Sequence, residues 1–367
     1  MVRITGMAAR RAWLLALAAC AQNEPSVVTI GAAGPWSERY GELNRRGIEL
    51  AIDEVNARGL IPGRTLRVVA RDDRGSGIEA VAIAQQFVSD PSIVAVVGHV
   101  NSGAMVAAAK VYDGHLPAVA TTASSPDLSG VSPWVFRVIS SDSVNGVDLA
   151  RFASQLGHRR AAVLYENNSY GRGLADAFVR AFAGEIVSAD PIDESASDFE
   201  PFIAHYARFA RPEIVFVAGT ERSGLNVLRE ARRQKLAADF LGGDGWTGTV
   251  TDTAAAEGVY VGAPFAASDP RPEAQRFVAA YQRKYEGEVP DGNAALAYDA
   301  TILVAHAIAR AGASRERVRR DLAEESGRHP YAGATGSIRF RDNGDVEEHG
   351  FVMTRVHRGA LLVAGAK

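Results

Sequence analysis

The sequence predicts an α/β protein built as two doubly wound parallel-sheet lobes joined by a multi-strand hinge. Short apolar runs without polar alternation, such as Ile93-Val-Ala-Val-Val97 and Ile214-Val-Phe-Val-Ala218, mark parallel strands buried on both faces. These runs alternate with helical-period segments over nearly the whole chain, the pattern of a parallel sheet covered by helices. The alternation forms two similar units with several crossings between them, which implies a cleft and a hinge.

In the first unit, Val27–Ala32 is a strand. Tyr40–Arg58 is a helix with Leu43, Ile48, Ala51 and Val55 on one face, stopped by Gly59. Strand Leu66–Ala70, helix Ile78–Ser89, strand Ile93–Val97, helix Ser102–Asp113 and strand Ala118–Thr121 follow. Val135–Val138 crosses into the second unit, which alternates from helix Ser143–Leu156 and strand Ala161–Tyr165 to helix Ser223–Lys235 and strand Phe240–Gly242. Val259–Gly262 with Pro264 is a return crossing, followed by helices Glu273–Tyr285, Ala294–Ala311 and Arg315–Glu325. Ser337–Phe340, the turn Asp342-Asn-Gly-Asp345 and strands Phe351–His357 and Ala360–Val363 form a C-terminal β element. The division expected is 27–138 plus 264–336 for the first lobe and 139–263 plus 337–367 for the second.

At 367 residues, with 47% hydrophobic and 23% charged, the chain is long enough for two domains of ordinary size. A formal charge of −3 offers no basic footprint for nucleic acid. The one cysteine, Cys20, follows Arg3, Arg10, Arg11 and the apolar run Ala12–Ala19. That is the layout of an export signal, too short to span a bilayer. Leu17-Ala-Ala-Cys20 has the form of a bacterial lipobox, in which the cysteine becomes the lipidated first residue of the mature chain. An ordinary signal cut beside Cys20 and a free buried thiol are the alternatives. Residues 1–19 are thus read as a signal and 20–26 as a lipid-anchored tether. The mature protein is expected outside the cytoplasm, in the periplasm or cell envelope, held at the membrane by acyl chains. No later segment reads as apolar enough to span a membrane. There is no G-x-S-x-G elbow, H-E-x-x-H pair or P-loop, and the eight histidines are scattered singly. The reading is a binding protein, not an enzyme, with no metal and no cofactor.

The stretches that carry chemistry lie at strand ends, where open α/β sheets hold their ligands. Gly98-His-Val-Asn101-Ser102 runs from a strand into a helix start. Hydroxyl and free N–H groups there either receive an anion or simply cap the helix. Thr122-Ala123-Ser124-Ser125 offers a second set of hydroxyls at the neighbouring strand end, or a plain turn before Pro126. In the other unit, Tyr165-Glu-Asn-Asn-Ser-Tyr170 and Gly242-Gly-Asp244-Gly follow strands. Tyr170 is either a packing residue or an aromatic face over a ligand, and Asp244 either pairs with a cation or closes an Asx turn. Glu221 and Arg222 open a helix, either as a solvated first turn or facing the cleft. In the latter case the ligand has a polar side chain or is not a branched-chain amino acid.

In order along the chain, several landmarks together resemble the leucine/isoleucine/valine-binding protein family, the type I periplasmic binding proteins that serve ABC importers. They are Gly34-Pro35, Tyr40-Gly, Arg46-Gly-Ile-Glu-Leu-Ala-Ile-Asp-Glu-Val-Asn56, Asp72-Asp73, Val96-Val-Gly-His-Val-Asn-Ser102, Ala123-Ser-Ser-Pro126-Asp-Leu, Val135-Phe-Arg137, Tyr170-Gly-Arg-Gly, Gly242-Gly-Asp244-Gly and Gly336-Ser-Ile-Arg-Phe340. The resemblance covers nearly all of the chain after the signal. It implies an extracytoplasmic receptor that delivers an amino acid or related small polar solute to a membrane permease. The same fold also serves sensors of amides, urea or other nitrogen compounds. It further implies that Ser102 with neighbouring backbone, including Asn101, binds the ligand carboxylate, and that Ala123 and Ser124 complete the zwitterion site. Tyr170 and Asp244 would face the ammonium, and Tyr40 would line the side-chain pocket. Two departures stand out: the loop after Gly34-Pro35 is short, and Gly219-Thr-Glu221-Arg222 carries charges where branched-chain binders tend to have aromatics.

Overall fold

A parallel five-stranded sheet and a mixed seven-stranded sheet organise the chain. The computed structural model describes residues 26–325, 328–347 and 350–364. The signal and the lipidation at Cys20 lie outside them. The first lobe runs β1 (Val27–Gly34), α1 (Arg39–Arg58), β2 (Thr65–Asp72), α2 (Gly77–Ser89), β3 (Ile93–Gly98), α3 (Ser102–Tyr112), β4 (Ala118–Ala120) and β5 (Val135–Arg137). The second runs α4 (Asp142–Gln155), β6 (Arg160–Glu166), α5 (Ser169–Ala181), β7 (Glu185–Ile192), α6 (Glu200–His205), β8 (Ile214–Ala218), α7 (Glu221–Gln234), β9 (Asp239–Gly242), α8 (Thr253–Ala256) and β10 (Tyr260–Ala263). The chain then crosses back for α9 (Pro272–Lys284), α10 (Gly292–Ala311), α11 (Arg315–Arg320), β11 (Tyr331–Ala332) and β12 (Ser337–Ile338). A third crossing leads to β13 (Val352–His357) and β14 (Ala360–Val363).

The sheet orders are β2-β1-β3-β4-β5 and β14-β13-β10-β9-β8-β6-β7. Each reverses direction once among its parallel strands, between β1 and β3 and between β6 and β8. Ligands of open α/β sheets bind in the crevice at such switch points. Helices cover both faces. Ile48, Phe277 and Leu303 pack on one side of the first sheet and Phe87, Met105 and Tyr112 on the other. In the second lobe, Leu174, Phe178 and Phe216 fill one face and Ile203, Leu228 and Trp246 the opposite one. The Phe178 and Phe216 rings stack at 4.2 Å.

Helix α10 is long and apolar enough to cross a membrane by composition, contrary to the sequence reading, and 78% of its apolar window is buried inside the first lobe. It is a core helix. Its contact with α1 depends on Gly47, where a Cβ would stand 2.1 Å from the Ala294 carbonyl oxygen.

The C-terminal β element does not hold together as one unit. β12 pairs with β11. Phe340 lies 5.0 Å from the Phe136 ring, and Ile338, Phe340 and Val346 belong to the apolar core of the first lobe. β13 and β14 instead extend the second sheet as antiparallel strands. The crossing expected at residue 337 therefore comes later, after Val346, because the first lobe's core buries those three apolar side chains.

Beside the crossings, Arg137 at the end of β5 is 2% exposed. Its Nη1 donates to the carbonyls of Ser124 and Ser125 at 2.8 and 2.7 Å, and its Nη2 to Ser129 Oγ at 2.7 Å. Its Nε donates to Asp345 Oδ1 at 2.7 Å. Removing one member of such a buried pair costs about 3–5 kcal/mol, since its partner stays buried and uncompensated. Arg137→Gln should lower the unfolding free energy by that order in urea denaturation. A loss below about 1 kcal/mol would mean that Arg137 does not hold this corner.

Candidate ligand-binding cleft

Between the lobes lies a cleft of about 470 Å³, within the usual size range for small-molecule sites. Its walls come from the carboxyl ends of strands in both sheets. The first lobe contributes the starts of α1, α3 and α10, with Thr122 after β4. The second contributes Glu166 at the end of β6, Tyr170 on α5, the start of α7, and Asp244 to Gly248 after β9.

On the first lobe, Ser102 is the first residue of α3, and Asn101 takes the N-cap position without a side-chain cap bond. Ser102 Oγ accepts from the backbone N–H groups of Ser124 and Ser125 at 3.2 and 3.1 Å. With both acceptor positions filled by the neighbouring strand end, its hydroxyl proton is the group left for the cleft. Asn101 Nδ2 donates to the Tyr40 hydroxyl at 3.0 Å, and burial pushes the Tyr40 phenol up to about 12. Tyr40 is therefore a neutral wall beside the anion end. Thr122 Oγ1 donates to the Val100 carbonyl at 3.0 Å, which ties the two strand ends together.

Ser102, Asn101, Tyr40, Tyr170, Asp244 and Glu221 all line the cleft. Ala123 and Ser124 do not. Ala123 belongs to the apolar core under the cleft. Ser124 is fully buried, and its hydroxyl donates to Asp142 Oδ2 at 2.9 Å. Its carbonyl accepts from Arg137 and from the Asp142 N–H. Ser124 thus shapes the site from beneath.

Under the same floor runs a buried chain that single-histidine reasoning passed over. His99 Nδ1 lies 2.6 Å from Asp73 Oδ2, and its Nε2 lies 3.0 Å from the Tyr112 hydroxyl. All three side chains are inaccessible. The chain clamps the cleft-lining loop Arg74-Gly75 to the start of α3.

On the second lobe, the Tyr170 hydroxyl donates to Asp244 Oδ1 at 2.9 Å and accepts from the Gly245 N–H at 3.1 Å. Glu166 Oε1 accepts from the Thr220 N–H, the Thr220 hydroxyl and the Ser223 hydroxyl at 2.7–2.9 Å. This carboxylate fastens the end of β6 to the start of α7. Sequence reasoning missed it, along with Thr247 and Asn293, whose side chains meet at 3.4 Å across the cleft. The place of Glu166 at the last residue of an apolar strand was the available signal. Glu221 and Arg222 both face the cleft.

A family model described as periplasmic binding protein matches residues 27–360. The chain belongs to that family. Its members are solute-binding proteins. A relative from Pseudomonas aeruginosa named leucine-, isoleucine-, valine-, threonine- and alanine-binding protein is 28% identical over 348 residues, covering 91% of both chains. An ABC transporter substrate-binding protein from Desulfitobacterium hafniense, solved with Leu, is 31% identical. The match covers 92% of this chain and 99% of that one, with a TM-score of 0.79. The branched-chain amino acid transporter substrate-binding protein LivJ from Streptococcus pneumoniae, solved with isoleucine, is 26% identical. There the coverage is 91% and 97%, and the TM-score is 0.84.

In this periplasmic binding protein the cleft carboxyl Asp244 has a buried acidic neighbour, Asp142 at the start of α4. Burial raises the Asp142 carboxyl well above the usual range, and the charge of Asp244 raises it further. Burial raises Asp244 as well, and the Tyr170 hydroxyl bond opposes that shift. In the folded state both keep their protons to higher pH than in the unfolded chain, which gives them up near pH 4. Stability therefore falls as pH rises from that point through the raised values. The ligand-free protein should melt at a lower temperature at pH 8 than at pH 5.5, and Asp142→Asn should remove a large part of the difference. A melting profile with the same pH slope in Asp142→Asn would show that this carboxyl is not the source.

Proposed function

We propose that this protein captures an amino acid between its lobes and delivers it to the permease of an ABC importer. The observation that carries the reading is the pairing of opposite chemistries across the cleft. The start of α3, with the Ser102 hydroxyl, offers donors for a carboxylate on the first lobe. Asp244, oriented by the Tyr170 hydroxyl, offers an acceptor for an ammonium on the second. The amino-acid ligands named for the relatives support the same reading.

In this mechanism the solute docks on the first lobe by its carboxylate, the end already organised by Arg137 and the Ser124–Ser125 amides. The second lobe then swings about the three crossings and brings Tyr170 and Asp244 onto the ammonium, a hinge closure of the kind common to such receptors. The closed form is the one presented to the permease. Export with lipidation at Cys20 would keep the receptor at the membrane surface beside that partner.

Losing a hydrogen bond to a charged ligand group costs about 1.5–3 kcal/mol, roughly ten- to a hundredfold in affinity. Titration calorimetry against an amino-acid panel should find a loss of that order in Ser102→Ala. The same variant should melt lower, because the Ser124 and Ser125 N–H groups lose their acceptor. Asp244→Asn should weaken amino acids far more than the matching 2-hydroxy acids, which lack the ammonium. Unchanged amino-acid affinity in both variants would place the site elsewhere, and a parent protein that binds no amino acid would refute the reading.

A further inference from the structure

On the amino-acid reading, the ligand's side chain faces the starts of α1, α7 and α10 and the turn carrying Thr247 and Gly248, which wall the cleft. Most of its charged groups already have close partners. Arg222 donates to the Glu194 carbonyl at 2.6 Å, Arg229 to Asp252 at 2.8 Å and Arg74 to Glu79 at 2.6 Å. Glu166 is occupied by Thr220 and Ser223, as described above.

Glu221 is different. Its nearest cation is Arg39 at 3.8 Å, and its nearest hydroxyl is Thr251 at 3.4 Å. The two ends of the ion pair are unequally placed: the Glu221 side chain is 15% exposed and that of Arg39 48%. Water therefore screens the cation more than the carboxylate. The carboxylate also packs against the chain at Gly248, where a Cβ would stand 1.9 Å from Glu221 Oε2. Burial raises the Glu221 carboxyl, and of the charges around it Arg39 opposes the shift while Asp291 and Glu38 add to it.

We infer that Glu221 is a specificity-determining residue, and that this cleft selects an amino acid with a cationic, hydrogen-bond-donating side chain. The inference rests on the amino-acid reading above and goes beyond the uncharged side chains of the amino acids named for the relatives. An ammonium or guanidinium at this end would give Glu221 the close charged partner that Arg39 does not supply. An aliphatic side chain would bury the carboxylate against hydrocarbon, a costly arrangement for an ionised group. An acidic side chain would meet like charge.

Calorimetry with L-arginine, L-lysine, L-citrulline, L-leucine and L-glutamate on the purified protein tests this. Arginine or lysine should bind tightest, and citrulline, which keeps the shape of arginine without its charge, at least about tenfold more weakly. Glu221→Gln should cost the basic ligand about tenfold or more and citrulline less than about threefold. Arg39→Gln should leave the basic ligand's affinity equal or higher, because it removes a competing cation. In a site for an acidic side chain it would lower glutamate affinity instead. Leucine or glutamate as the tightest ligand, with Asp244→Asn still abolishing its binding, would overturn the inference and leave the amino-acid reading standing. Binding of none of the five would remove both.

Discussion

Arg137 places one guanidinium where β5 ends, and its partners come from separate stretches of chain. The carbonyls of Ser124 and Ser125 and the Ser129 hydroxyl belong to the turn after β4, and Asp345 lies just before the last crossing. A buried cation is tolerated only where its donors are satisfied, so the fold holds these stretches in one arrangement. That arrangement turns the Ser124 and Ser125 amides onto Ser102 Oγ and the Ser124 hydroxyl onto Asp142. The ligand meets the result of this network, not the network itself. Preorganisation of this kind lowers the ordering cost of binding.

The opposite lobe answers with acid. Asp244 stands in a cleft whose burial penalises its charge, with the Tyr170 hydroxyl as orienting donor, and its charge in turn raises the buried Asp142 carboxyl. A cation entering the cleft relieves that cost. In the proposed function the first lobe's donors and the second lobe's carboxylate complement a zwitterion. Neither lobe would then hold both charges of the ligand, and closure would be part of recognition.

Much of this was legible in the chain order. The buried strands read as unbroken apolar runs, and β3 into α3 and β9 into Asp244 were visible as strand ends leading into turns. Ser102, Tyr170 and Asp244 sit at those ends because backbone N–H groups are free there and side chains face the crevice. The roles of Ala123 and Ser124 were not legible. Their strand end also contacts the floor of the cleft, and the sequence does not say which side a hydroxyl turns to. Thr247 and Asn293 escaped for a related reason: one lies in a short 3-10 stretch and the other in the first turn of α10, and neither position is marked by a periodic pattern. The late third crossing escaped because Ile338, Phe340 and Val346 are apolar without revealing which of two cores will bury them.

Local and short-range patterns are thus enough for two sheets, their strand ends and the class of chemistry at each end, since period and turn chemistry are properties of neighbouring residues. Which face a side chain turns to, which lobe buries a loop and which charges find close partners depend on groups far apart in the chain. Glu221 illustrates the division. As the first residue of a charged helix it could have been solvated. Tertiary packing set it in the cleft, against Gly248 and short of a close cation.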